Sequence, residues 1–170
     1  QLPNGSINLA MWEVDPVKEL ANIHIYQSND DGSTWTLVSS KALPSDLDVS
    51  GTFGSGLAGV ELQNIVMATS AHQVLMLAGY NLHDTDPALG SVMNQYGSTN
   101  NGLTFRFVDK TEEADNSQFY LPKVVEFNGV FIIGYIARVD EIRFTRVSNV
   151  FDSIFDTIDL IPADILAGNV

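Results

Sequence analysis

A ten-residue stretch that occurs twice constrains this chain more than any bulk property does. Tyr26-Gln27-Ser28-Asn29-Asp30-Asp31-Gly32-Ser33-Thr34-Trp35 returns as Tyr96-Gly97-Ser98-Thr99-Asn100-Asn101-Gly102-Leu103-Thr104-Phe105, an offset of 70 positions. Tyr, Ser, Gly and Thr are identical at matched places, Asp is twice matched by Asn, and Trp by Phe. Self-similarity of this density marks a structural unit used more than once. Its chemistry is that of a turn between two strands. Asp30, or Asn100, accepts hydrogen bonds from turn amides, and Ser28 with Thr34, or Ser98 with Thr104, closes the turn through hydroxyls. Gly32 and Gly102 supply a backbone conformation that other residues resist. Trp35 or Phe105 is expected to plug the layer beneath. The motif is a folding device, and nothing in it activates a substrate.

The remaining pattern is that of strands. Residues 7–14, 22–27, 34–39, 63–69 and 72–80 are short apolar or alternating runs bounded by Gly, Pro, Asn, Asp or Ser. Residues 123–127 and 130–136 flank Asn128-Gly129, the strongest short hairpin signal, because a type I′ turn needs positive φ at both central residues. Residues 141–147 predict a further strand. Helix signals are weak. Asp15-Pro16-Val17-Lys18-Glu19-Leu20-Ala21 reads as one helical turn capped by Asp15, or equally as a hairpin loop. Residues 162–167 read as a short helix or a final edge strand. The fold class is all-β.

Length and charge limit the rest. At 170 residues the chain is one domain, or a piece of something larger. It opens Gln1-Leu2-Pro3 with no initiator methionine, as expected of a processed product or a segment of a longer polypeptide. Lys and Arg number 8 against 21 Asp and Glu, a net charge of −13. That excludes general nucleic-acid binding, which needs cations to displace counterions from phosphates, and disfavours anionic membranes. Charged residues are only 17%, so the acidity reflects scarce cations. With no cysteine, disulfides, thiolate metal sites and cysteine nucleophiles are excluded. The longest apolar run, 130–137, is too short for membrane insertion.

Ser28-x-Asp30-x-Gly32-x-Thr34-Trp35 resembles the Asp-box of sialidase-type β-propellers, also called the bacterial neuraminidase repeat. The second copy is degenerate, with Asn100 for the aspartate and Phe105 for the tryptophan. In that family the motif lies between the third and fourth strands of a blade, away from the active site. The resemblance implies about three four-stranded antiparallel blades, near 1–55, 56–115 and 116–170, within a single unit 1–170. The first blade is short of an outer or inner strand, and the last strand of the third is expected at 151–160. Propellers close with about 4–8 blades, so three make an incomplete ring as a single chain. A protein partner or further copies would complete it, or the sheets form an open stack or sandwich.

The same resemblance raises sialidase chemistry: an arginine triad, a tyrosine nucleophile assisted by a glutamate, and an aspartate acid/base. The family's early Arg-Ile-Pro element is matched here only by Gln1-Leu2-Pro3, and Arg106, Arg138, Arg143 and Arg146 all fall in the second half. Tyr135 with Glu126 or Glu141 would imitate the nucleophile pair. Paired acids such as Asp46-x-Asp48 and Glu112-Glu113 would suit a glycosidase, but in so acidic a chain they read as loop charges. Asp84 and Asp86, in 81–87, are the best oxygen ligands for Ca²⁺ and lack a calcium-loop consensus; no other cofactor is indicated. His24 and His72 read as half-buried residues of strands. Tyr80, His83, Asn94 and Tyr96 have the aromatic and polar character of a glycan-binding loop, or they cap the sheets. The expected function is a non-catalytic binding or structural module on an extracellular or particle surface, such as a glycan-binding or virus-type attachment protein. Low cation content favours neutral glycans or protein partners. The alternative is a fragment of a sialidase-like glycoside hydrolase.

Overall fold

The computed structural model describes residue 2 and residues 4–15, 20–42, 61–81, 91–113, 120–138, 141–156 and 159–161, and most of them lie in paired strands. β1 (Ile7–Asp15), β2 (Leu20–Ser28) and β3 (Thr36–Ala42) form one antiparallel sheet. β4 (Glu61–Ser70), β5 (Gln73–Asn81), β6 (Ser91–Ser98) and β7 (Arg106–Glu113) form the central one. β8 (Tyr120–Phe127), β9 (Val130–Arg138), β10 (Glu141–Val147) and β11 (Asp159–Ile161) form the third. Each is a meander in chain order, and no helix occurs among the described residues.

The central sheet is buried on both faces, and β5 carries the reason. Its successive side chains point to opposite sides. Val74, Met76 and Ala78 join Ile23, Ile25 and Phe105 in a core against the first sheet. Leu75 and Leu77 join Met93, Phe131 and Ile133 in a second core against the third. A strand with two dry faces has no place for polar alternation, hence the continuous run Val74-Leu75-Met76-Leu77-Ala78.

The ladders align the sheets with one another. Leu9 pairs with Tyr26 and Tyr26 with Leu37 in the first sheet; Met76 pairs with Tyr96 and Tyr96 with Phe107 in the central one. A register shift falls before Tyr26 in one and before Tyr96 in the other. β1–β3 therefore correspond to β5–β7, and among the described residues the first sheet has no counterpart of β4. The repeat seen in the sequence extends through three strands.

Of the two readings of residues 15–21 the hairpin holds, since Asp15 pairs with Leu20 and Val14 with Ala21. One expectation needs correction. The last strand of the third sheet is not 151–160 but only Asp159–Ile161. Residues 151–156 form turns and bends packed on the central sheet, with Val150 and Ile154 fully buried. Asn128 and Gly129 have φ of 51° and 84°, the pair of positive values that a type I′ hairpin requires. Residues 162–167 lie outside the described residues.

Candidate functional site

The two repeat turns share one hydrogen-bond plan. The Ser28 hydroxyl donates to Asp30 Oδ1 at 2.8 Å and accepts from the Gly32 amide at 2.8 Å. Asp30 Oδ1 also accepts from the Thr34 amide at 2.8 Å, and Oδ2 from the Thr34 hydroxyl at 2.6 Å. In the second turn Ser98 bridges Asn100 and the Gly102 amide, and Asn100 Oδ1 accepts from the Thr104 amide at 3.0 Å. Asn100 replaces the second carboxylate oxygen with an amide that donates to Thr104 Oγ1 at 2.9 Å. Residue 31 or 101 takes φ of 55° or 61°, and the glycine after it 88° or 78°. Such successive left-handed residues favour Asp, Asn and Gly.

The Thr34 hydroxyl and amide, with Ser28, hold the Asp30 carboxyl at a pKa of about 2, below its ordinary 3.8. A depressed folded-state pKa contributes stability that is present above pH 3.8 and is lost as pH falls through about 2. Urea midpoints of the wild type should therefore drop between those values more than those of Asp30→Asn. Equal pH profiles would show that the carboxylate does not stabilise the turn.

The second turn is locked to the first sheet. Asn8 Nδ2 donates to the Asn101 carbonyl at 3.0 Å, while Gln27 Nε2 donates to Asn8 Oδ1 at 3.1 Å. A Cβ on Gly102 would collide with that Asn8 amide, whereas one on Gly32 would meet only the Trp35 ring at 3.5 Å. Gly32→Ala is expected to cost about 1–2 kcal/mol from backbone strain. Gly102→Ala should cost about 2–3 kcal/mol, because the Asn8 bond is displaced as well. Chemical unfolding of the two variants measures the difference.

The two aromatic residues of the repeat differ. Phe105 is 8% exposed within the first core, but Trp35 is 40% exposed. The expected plug is thus realised at Phe105 and not at Trp35 among the described residues.

Residues considered for chemistry are dispersed. Asn94 and Tyr96 are fully enclosed between the first and central sheets, where Asn94 Nδ2 donates to Tyr96 Oη at 3.1 Å. They are packing residues, which corrects their reading as part of an open binding loop. Tyr80 lies in β5 opposite Val92; His83, Asp84 and Asp86 lie outside the described residues. Among the described residues no group of three or more His, Asp or Glu is placed to hold a metal. His24 is half-buried in β2, and His72 sits exposed in the β4–β5 turn rather than half-buried.

Among the described side chains, Glu126 and Tyr135 do not come together, while Arg143 stands opposite Tyr135 in the β9–β10 ladder. Glu126 Oε1 accepts from the Gly129 amide at 2.7 Å, capping the β8–β9 turn. Glu126 stands opposite Phe131, four residues before Tyr135 in β9, roughly 13 Å along a strand. Tyr135 is buried against Phe155. Arg106 lies over the Phe151 ring at 4.1 Å, and Arg146 is exposed on β10. Glu141 and Arg138 pair in the β9–β10 ladder, and their side chains are outside the described ones.

One cleft of about 250 Å³ lies beside β1. Asn8, Leu9 and Ala10 of β1 line one side; Ile65, Met67 and Thr69 of β4 line the other. Its lining is mixed: Asn8 and Thr69 bring side-chain polar groups among the apolar side chains, and polar atoms make up the larger part of its exposed surface. No sequence motif announces it, because it lies beside β1 where the described residues of the first sheet include no counterpart of β4.

No protein-family model matches this chain, and no curated protein matches it either. Solved structures do. It is similar to an α-L-arabinanase of Penicillium chrysogenum solved with arabinobiose, at a TM-score of 0.57 and 13% identity, over 92% of this chain and 45% of that one. It is also similar to the GH93 α-L-arabinofuranosidase of Fusarium graminearum with arabinobiose, at a TM-score of 0.58 and 14% identity, over the same shares. At such identities the likeness defines the fold alone: the three sheets are blades of a β-propeller. The chain spans 45% of the length of the propellers it matches.

Proposed function

We propose that this chain is a non-catalytic propeller module that binds neutral glycans at an extracellular or particle surface. The observation that carries this reading is the use to which its would-be catalytic groups are put on a carbohydrate-related fold. Glu126 caps a turn, Arg106 covers Phe151 and Tyr135 is buried. With a net charge of −13 and 8 cations, an anionic sugar is the poorer ligand. The solved neighbours carry arabinobiose, a neutral disaccharide, which makes it the natural first probe. Titration calorimetry with arabinobiose and longer arabino-oligosaccharides is expected to give heat of binding, and sialyllactose none. Absence of binding to any neutral oligosaccharide would overturn the reading.

A second reading, a fragment of a propeller glycoside hydrolase, is favoured by the 45% coverage of such enzymes. Fluorogenic arabinofuranosides and sialosides distinguish the two, since turnover by this chain would replace the binding reading.

A further inference from the structure

The first and third blades each expose an apolar face whose equivalent in the central blade is buried. Register makes the correspondence residue by residue. Leu9 and Met11 occupy the ladder positions of Met76 and Ala78, Tyr26 that of Tyr96, and Leu37 that of Phe107. In the central blade these positions are buried or packed against the preceding blade. In the first blade Leu37 is 50% exposed, and Leu9 and Met11 are exposed as well.

The far side of the third blade completes the pattern. Ile132 and Phe144 stand at the ladder positions of Leu77 and Met93, with Gly134 matching Gly79. Val125 and Phe127 match Val66 and Ala68. Leu77 and Met93 are fully buried against the following blade. Phe127 is 62% exposed, and Val125, Ile132 and Phe144 are exposed too.

One chain therefore carries both halves of a blade–blade seam, one half at each end of the array. We infer that two copies of this chain close a single six-bladed ring, each third blade seated on the first blade of the other copy. Coverage agrees, because twice 45% is nearly the whole length of a matched propeller. Charge agrees at the point where two acidic chains would repel. Arg146 stands where Gln95 stands in the central blade, opposite Ile132 as Gln95 is opposite Leu77. Gln95 binds the turn segment of the next blade through Val150 and Asp152 carbonyls. In the ring, Arg146 faces the corresponding turn of the first blade, which bears Asp30 and Asp31. The seam joins two different faces, and a ring rather than an open filament results because the three blades of each copy turn through half of a six-bladed circle. Nothing in this assembly depends on the sugar-binding reading, and its test contains no sugar.

Sedimentation velocity of the full chain is expected to give twice the 18.5 kDa chain mass. Leu37→Glu and Phe127→Glu each spoil one half of the seam at an exposed position and should each sediment as single chains. Their urea midpoints report that both remain folded. Mixed in equal amounts they should recover dimers, because each supplies the half the other has lost. A single-chain mass for the wild type overturns the proposal. So does an open ladder of larger species, a dimer that survives both substitutions, or failure of the mixture to re-associate.

Discussion

Replacing Gln95 by leucine is expected to remove about 3–5 kcal/mol of stability, although the volume scarcely changes. The side chain is fully buried and serves three backbone groups of the next blade. Nε2 donates to the Val150 carbonyl at 3.3 Å and to the Asp152 carbonyl at 2.8 Å, and Oε1 accepts from the Ile154 amide at 3.1 Å. Residues 151–156 are not part of a strand, so no ladder satisfies these groups. Gln73 serves the same segment, accepting the Val150 amide at 3.0 Å. A buried backbone group without a partner costs about 1–3 kcal/mol, and leucine would strand up to three of them. Urea unfolding with an unchanged m-value is the measurement. A loss below about 1 kcal/mol would mean that the segment finds other partners, and the bridging role would be withdrawn.

Tyr96→Ala should cost a similar amount, about 3–5 kcal/mol, for a different reason. The ring fills the core between the first two blades and meets Phe107 edge-on, with centroids 6.0 Å apart. Its removal leaves a cavity that strands held on both sides cannot close. Tyr96→Phe isolates the hydroxyl: the core stays filled, but Asn94 Nδ2 loses its acceptor in a buried place, at about 1–2 kcal/mol. If the two variants are equally damaging, packing is not what Tyr96 contributes.

Strand positions were legible because a period of two survives in short runs, and the turn motif was legible because its polar atoms bond locally. What escaped reading depends on distant neighbours. Val150, Phe151, Ile154 and Phe155 are apolar enough to suggest a strand, yet they come in adjacent pairs. That spacing suits a knot of turns pressed onto another sheet. Asn94 and Tyr96 look like ligand-facing residues in the sequence, and only the first blade, seventy residues earlier, buries them together. Trp35 matches Phe105 in type and place, but no described residue covers it as the first blade covers Phe105. The cleft beside β1 lies between strands of two different sheets, a juxtaposition that no local pattern records.

The continuous apolar strand of the central blade also sets an order of opening. Residues Val74 to Ala78 belong alternately to two cores, so their amides are sheltered unless both neighbouring blades have come away. Within a single chain, the form that Leu37→Glu or Phe127→Glu leaves, the first and third blades each lean on one core only. Either can detach there while the other seam stays intact, as in a linear array coupled through nearest neighbours. Hydrogen exchange should then be slowest along β5 and β6, with the blades on either side releasing their amides earlier and independently.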